Sequence, residues 1–216
     1  MEATSRRIQL AVKRAFDVVV ATAALIVTSP LLVLVALLVL LTMGPPVLFR
    51  QRRLGLHGEE FTLLKFRTMR GIPPGFDKPL DDQQRITRVG RLLRQLSLDE
   101  LPELVNVLRG DLSIVGPRPL LPEYRELYSA EQLRRHELPP GIAGPVLAKG
   151  RNALSWEEKF AWDVWYVDNW SLWLDAKLLV QSVVNVLTRR GVSADDHATM
   201  PRFEGSAPGS TKERQQ

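Results

Sequence analysis

The sequence predicts an α+β fold, mostly helical with a small number of short strands, in which an N-terminal membrane anchor is joined by surface amphipathic helices. Three observations predict it. Residues 18–43 carry no charge, and an apolar run of about 20 residues is long enough to cross a bilayer. Apolar residues recur at helical spacing in 98–108 and through 155–188. Residues 61–69 alternate with the period of a strand. The remaining composition, within 216 residues of which 45% are hydrophobic and 25% charged, is that of a globular chain, so the apolar run is a local feature. A net charge of +5 suits anionic lipid heads, phosphorylated substrates or nucleic acid and does not choose among them. With no cysteine, a disulfide framework and thiolate chemistry are excluded.

Residues 1–14 begin a basic amphipathic helix, with Ile8, Leu10, Ala11 and Val12 set among Arg6, Arg7, Lys13 and Arg14, a pattern that lies at a membrane surface. Ser29-Pro30 interrupts the apolar run near its middle. Proline removes a backbone donor and clashes with the preceding turn, so the helix should bend there. Ser29 can satisfy the carbonyl that is freed. Both flanks are basic, with Arg50, Arg52 and Arg53 following the run, and Lys and Arg favour the cytoplasmic side of short loops. A helix–break–helix that enters the inner leaflet and returns satisfies both flanks; a kinked spanning helix fits the same run, and the residues alone leave both open. The run is longer than a signal-peptide core and lacks an A-x-A cleavage site.

Gly44-Pro45-Pro46 ends the apolar run. Residues 47–53 form a short strand, 54–58 a turn, and 61–69 a second strand with Phe61, Leu63, Lys65 and Arg67 on one side. Residues 71–82 are a loop. Arg85, Arg88, Arg91 and Arg94 form a basic stripe on a helix over 85–95. Leu98, Leu101, Leu104, Val105 and Leu108 supply the apolar face of the next helix, which Gly110 caps. Residues 112–115 lead into Gly116-Pro117-Arg118-Pro119, where two prolines stiffen the loop. A helix over 123–136 and a loop from 139 to 150 follow. All five tryptophans lie between Trp156 and Trp173, a cluster that suits a membrane interface or an aromatic core. From about residue 206 the Gly/Ser/Pro-rich, charged tail, 206–216, is expected to be disordered.

The densest chemistry is Ser97-Leu98-Asp99-Glu100. Ser–x–x–Glu is a capping box that opens the 98–108 helix. The same placement puts Asp99 in the first turn, where the helix dipole favours a carboxylate, and an ionised carboxylate can be a nucleophile or a metal ligand. Adjacent helical residues point about 100° apart, so Asp99 and Glu100 cannot do one job at one atom. Around the pair lie Lys65, Arg67, Arg88, Arg91, Arg94, Arg109 and Arg118. Guanidinium forks match phosphate oxygens, and Arg118, fixed between prolines, loses least entropy on binding. Any one of these cations also reads as an ordinary solvated charge. His57, His136 and His197 show no metal-ligand spacing, and no Walker loop, G-x-G-x-x-G, HExxH or CxxC is present.

The stretches KRAFD (13–17), the Ser29-Pro30 run, QRRLGLHG (51–58), FTLLKFRTMR (61–70), ITRVGRLLRQLSLDELPELVNVLRGDLSIVGPRP (86–119), PPGIAG (139–144), RNALSW (151–156) and YVDNWSLWLD (166–175) resemble the bacterial sugar transferases, the monotopic phosphoglycosyl transferases. The likeness spans about residues 13–180 and is most specific over 86–119. The chain looks like the minimal form, without extra N-terminal membrane helices. The resemblance implies transfer of a sugar 1-phosphate from a UDP-sugar to polyprenyl (undecaprenyl) phosphate, with release of UMP, at the start of glycoconjugate assembly. By the match of SLDELP, Asp99 would be the nucleophile that forms a phosphosugar–aspartate intermediate, and Glu100 would assist the acceptor phosphate. Mg2+ would neutralise the diphosphate, with Asp99 as its protein ligand. Lys65, Arg94 and Arg118 match phosphate-holding positions, and Arg67 does so less closely. Ser29 and Pro30 match the break of a re-entrant helix, which decides the topology left open above.

The expected organisation is therefore a basic start and re-entrant membrane helix in 1–43, a catalytic domain on the cytoplasmic face of the bacterial inner membrane in 44–205, and the tail in 206–216. Expected partners are the donor, the lipid acceptor, the bilayer, and a second copy of the chain or other glycan-pathway enzymes; nucleic acid is not expected. Pro139-Pro140 and GPVLAKGRN depart from the family wording in a loop expected to meet the donor sugar. The competing reading is a membrane-anchored basic adaptor, or an inactive scaffold of a glycan assembly complex, which leaves the Asp99-Glu100 pair and the rigid Arg118 loop without a purpose.

Overall fold

The computed structural model describes residues 2–71, 85–149, 154–188 and 202–205. Helix α1, Glu2–Met43, contains Pro30 within it. The sequence predicts a bend there, and side-chain hydrogen bonding offsets the donor that Pro30 lacks. Pro30 has no N–H for the carbonyl of Ile26, and Ser29 Oγ donates to that carbonyl instead, at 2.8 Å. Thr28 Oγ1 also donates to Ala24 O, at 2.7 Å. Pro30 lies on the exposed side of α1, opposite a seam containing Ala21, Val35 and Val39 that faces the rest of the protein.

Both ends of α1 are fastened to one body. Near its start, Lys13 Nζ donates to Val115 O and pairs with Asp175 at 2.6 Å. Arg14 donates to the carbonyls of Val107 and Leu108, and Asp17 Oδ1 accepts from Ile114 N. At its other end, Arg67 donates to the carbonyls of Met43, Gly44 and Pro45. Between these anchors much of the apolar surface is bare: Val27 is 77% and Leu41 82% exposed. Such a surface on a helix of this length is consistent with a membrane anchor.

Strands β1 (Leu48–Leu54) and β2 (Glu60–Phe66) form an antiparallel hairpin closed by a 3₁₀ turn, Leu56–Gly58. Helix α2, Arg88–Gln95, begins at Thr87, whose side chain accepts from Gly90 N. The helix expected over 98–108 is divided into a 3₁₀ turn, Leu98–Glu100, and α3, Glu103–Arg109. Pro102 stands between them and has no N–H with which to continue the turn. Gly110 ends α3 with φ 95°, as its position predicts. Strand β3, Ser113–Val115, pairs in parallel with β4, Gly141–Ala143.

The stretch read as one helix over 123–136 is a 3₁₀ turn (Pro122–Leu127), α4 (Ala130–Leu133) and another 3₁₀ turn (Arg134–Glu137). Ser129 opens α4 with a capping box, and that stops the preceding turn from continuing. Helix α5, Pro145–Lys149, falls where a loop is expected. Helices α6 (Trp156–Asn169) and α7 (Leu172–Leu187) follow. The expected tail, 206–216, and most of the 71–82 loop lie outside the described residues.

Three apolar clusters hold these parts. Val107, Leu112, Tyr166 and Leu178 pack with Ala21 under the first half of α1. Val35 and Val39 of its second half pack with Phe66 and Leu93. The third cluster is aromatic, built on Tyr124, Tyr128, Phe160 and Phe203 with Leu54 and Trp156, and contains no residue of α1. The tryptophans therefore divide: Trp156 belongs to a core, while Trp173 is 78% exposed.

Candidate active site

Asn106 sets the hairpin against α3. Its side chain is fully buried; Oδ1 accepts from Leu64 N at 3.0 Å and Nδ2 donates to Thr62 O at 2.8 Å. With β2 clamped in this way, Lys65 points at the segment carrying Asp99 and Glu100. Lys65 Nζ lies 2.8 Å from Glu100 Oε1 and 3.0 Å from Glu103 Oε1.

Arg118 approaches Glu100 from the other side, its Nη2 donating to the same Oε1 at 2.7 Å. Close backbone contact aims that loop. A Cβ on Gly116 would lie 2.2 Å from Pro139 O, so only glycine lets β3 and the 139–141 segment touch. Arg135 then holds the carbonyl of Arg118 through a 2.7 Å hydrogen bond. Gly90 serves α2 in the same way: a Cβ there would collide with Thr68 O, at 1.9 Å. This close packing lets Arg94 Nε donate to Thr68 Oγ1 at 3.0 Å.

Asp99 sits in the 3₁₀ turn, 8% exposed. Burial raises its pKa first and the charge of Glu100 second, while Lys65 and Arg94 pull it down. Burial also pushes Glu103 up to about 7, with Lys65 opposing and Glu100 adding to the rise. Glu100 raises Arg118 well above the ordinary guanidinium range. The arrangement is a buried carboxylate, two further acids and a ring of fixed cations, which can hold phosphates around a reacting atom.

The structure brings together Lys65, Arg94, Asp99, Glu100 and Arg118, five of the residues singled out from the sequence. Arg67 is not among them. Strand β2 stops at Phe66, so the alternation that puts Arg67 beside Lys65 does not reach it, and its guanidinium caps the C-terminal end of α1. The capping box expected at Ser97 is not formed either: Ser97 has φ 54° and makes no side-chain cap. Its left-handed backbone turns the chain into the 3₁₀ segment.

Sequence reasoning missed Glu103 and Asn106. The signal for Glu103 was its place three residues after Glu100, on the neighbouring position of a helical face. A divalent cation fits the donors present. Among the described residues no cluster of three or more acidic or His side chains forms a metal cage. Mg2+ is commonly held by one or two carboxylates with the rest of its shell from phosphates and water, and Asp99 is a hard oxygen donor beside the charge of Glu100, which a cation would relieve. A small cavity beside the site is lined by Gly116, Arg118 and 141–144; a larger one, of about 390 Å³, lies at Leu54, His57 and His136 and includes none of the candidates.

Comparison with known proteins bears on this geometry. Residues 8–189 match the family model described as bacterial sugar transferase. The chain is 52% identical over 194 residues to an uncharacterized sugar transferase, EpsL, of Bacillus subtilis strain 168, covering 90% of this chain and 96% of that one. It is 41% identical over 186 residues to the UDP-glucose:undecaprenyl-phosphate glucose-1-phosphate transferase of Caulobacter vibrioides, covering 82% and 70%. It is 37% identical over 196 residues to the undecaprenyl-phosphate galactose phosphotransferase of Salmonella typhimurium, covering 83% of this chain and 41% of that longer protein.

Proposed function

Because the chain belongs to the bacterial sugar transferase family and is a transferase, we propose that it moves a sugar 1-phosphate from a UDP-sugar to polyprenyl (undecaprenyl) phosphate through a phosphosugar carried on Asp99. The observation that carries this reading is a buried Asp99 beside Glu100, whose Oε1 is held by both Lys65 and Arg118.

In the first step an Asp99 oxygen attacks the sugar-proximal phosphorus. The bond from that phosphorus to the bridging oxygen breaks, and its electron pair leaves with UMP. In the second step an oxygen of the acceptor phosphate attacks the same phosphorus and returns Asp99 to its carboxylate. Two easier displacements replace one. Lys65, Arg94 and Arg118 reduce the repulsion between an anionic nucleophile and anionic substrates and are in place before reaction. Glu100, next to Asp99 and fixed by two cations, is positioned to take a proton from the acceptor phosphate. Asp99 would hold Mg2+, which supplies charge neutralisation at the diphosphate when bound.

Residues 1–43 act as a re-entrant anchor in the bacterial inner membrane, and 44–205 as the catalytic domain on its cytoplasmic face. What supports this topology is the attachment of both ends of α1 to the same body. A straight spanning helix would put its ends on opposite sides of a hydrocarbon layer about 30 Å thick. A shallow anchor keeps the site at the level where a polyprenyl phosphate presents its head.

The test is UMP release by the detergent-extracted protein with undecaprenyl phosphate, Mg2+ and a panel of UDP-sugars. One donor should give UMP, and Asp99→Asn should lower the rate by about 10³-fold or more, the order expected for loss of a nucleophile. UMP formed equally by the variant would refute the role of Asp99.

A further inference from the structure

Arg135 and Asp163 have no part in the reaction as derived so far, yet they form a buried ion pair in contact with the backbone of Arg118. Arg135 stands in the 3₁₀ turn Arg134–Glu137 and Asp163 on α6, and both side chains are 2% exposed. The guanidinium donates to Asp163 Oδ2 through Nε at 3.1 Å and through Nη2 at 2.6 Å. Nη1 donates to Tyr128 Oη at 3.3 Å, and the rings of Tyr128 and Phe160 are centred 5.8 and 5.5 Å from the guanidinium carbon. Nη2 is shared with Arg118 O, at 2.7 Å.

Stability is a poor reason for this pair. Two charges taken out of water lose more than their attraction returns unless their polar atoms are all satisfied, and packed apolar residues of similar volume do as well or better. Among the described residues Asp163 Oδ1 is buried without a hydrogen-bond partner, which is a further cost. What the pair holds is one carbonyl of a loop with few donors of its own, since Pro117 and Pro119 lack N–H groups. The neighbouring contacts of that loop run backbone to backbone: Gly116 N donates to Ala143 O, Gly141 N to Pro117 O and Leu54 N to Leu120 O, each at 2.9 Å. Arg118 O is met by a side chain instead. The root of Arg118 is thereby fixed in the interior, while its side chain, 39% exposed, reaches Glu100 Oε1 at 2.7 Å.

We propose that Arg135 and Asp163 are positioning residues of the transfer reaction: Asp163 orients the Arg135 guanidinium, and Arg135 fixes the backbone of Arg118 so that its side chain meets the donor phosphates in one place. The inference rests on the reaction proposed above. The charges of the pair cancel, so its effect is geometric. Its planar guanidinium directs N–H groups at Asp163, Tyr128 and Arg118 at once, which a lysine ammonium on a flexible stem does not. An Arg118 fixed in advance loses less freedom when the donor binds, so loss of the anchor raises the donor KM.

UMP-release kinetics of the full chain in detergent, run as a mutant cycle with Arg118→Gln and with Tm measured for each variant, test the proposal. Arg135→Met combined with Asp163→Leu removes both charges together and should keep Tm near or above that of the wild type. It should nevertheless raise the donor KM by about tenfold. Added to Arg118→Gln, the same two substitutions should change that KM by less than about twofold, because the backbone they release no longer carries a substrate contact. Arg135→Lys, which keeps the charge without the fork, should fall between wild type and the paired variant, and takes its place in the cycle if that variant does not fold. An equal rise in KM with and without the Arg118 side chain would make the pair merely structural and overturn the proposal, leaving the transfer reading standing. An unchanged donor KM in the folded paired variant would overturn it as well. A wild type that released no UMP from any UDP-sugar would overturn the transfer reading and this role with it.

Discussion

Asp99 is harder to ionise than an ordinary carboxyl, since burial and Glu100 raise its pKa while Lys65 and Arg94 only partly compensate. A nucleophilic carboxylate must be deprotonated, so kcat/KM, which reports the free enzyme, should fall on acidification with a limb above the ordinary value of 3.8. Rates of UMP release against pH will measure it. Glu103 carries a stability consequence. Its ordinary value is 4.5 and its folded value about 7. Between these the folded protein binds the proton more tightly than the unfolded chain, so the contribution is full below 4.5 and is lost as pH rises through about 7. The wild-type Tm should therefore fall from about pH 5 to 8, and Glu103→Gln should flatten that fall, by thermal unfolding in each buffer. Lys65, Arg94, Asp99, Glu100 and Arg118 were legible because each lies in a dense local motif. Glu103 was not, because only the tertiary packing of β2 against α3 brings it to Lys65.

Among the elements, α1 depends on polar anchors at each end. Lys13 and Asp175 are both buried, and Tyr166 and Trp170 donate to the same carboxylate. Removing one partner of a buried pair costs about 3–5 kcal/mol, so Lys13→Met should lower stability by that order in denaturant unfolding. At the other end, Arg67→Gln should lower Tm and leave the KM for the donor unchanged, whereas Arg118→Gln should raise that KM by about tenfold or more. This pair of variants separates a helix cap from a substrate contact. Pattern located the hairpin, α2, α6 and α7 well, since their periodicity is local. It joined Leu98–Glu100 to α3 because apolar spacing cannot register the left-handed Ser97 or the missing N–H of Pro102. It likewise joined Pro122–Leu127 to α4 across the cap at Ser129.

For the whole molecule, the attachment of both ends of α1 to one body makes sidedness the decisive property of the anchor. The chain has no cysteine, so single cysteines at Gln9 and Glu60, both exposed, give clean reporters. In intact cells a membrane-impermeant thiol reagent should label neither, and after lysis both; labelling of Gln9→Cys alone in intact cells would indicate a spanning helix. The sequence carried the ambiguity because a proline within an apolar helix is compatible with both topologies, and only contacts distant in sequence bind its two ends together. The central claim, transfer through Asp99, is tested most directly by intact-protein mass measurement after mixing with Mg2+ and the active UDP-sugar in the absence of any lipid acceptor. The account predicts a mass increase of one phosphosugar per chain, a matching burst of UMP, and neither in Asp99→Asn. UMP appearing only once polyprenyl phosphate is added, with the protein mass unchanged throughout, would contradict it.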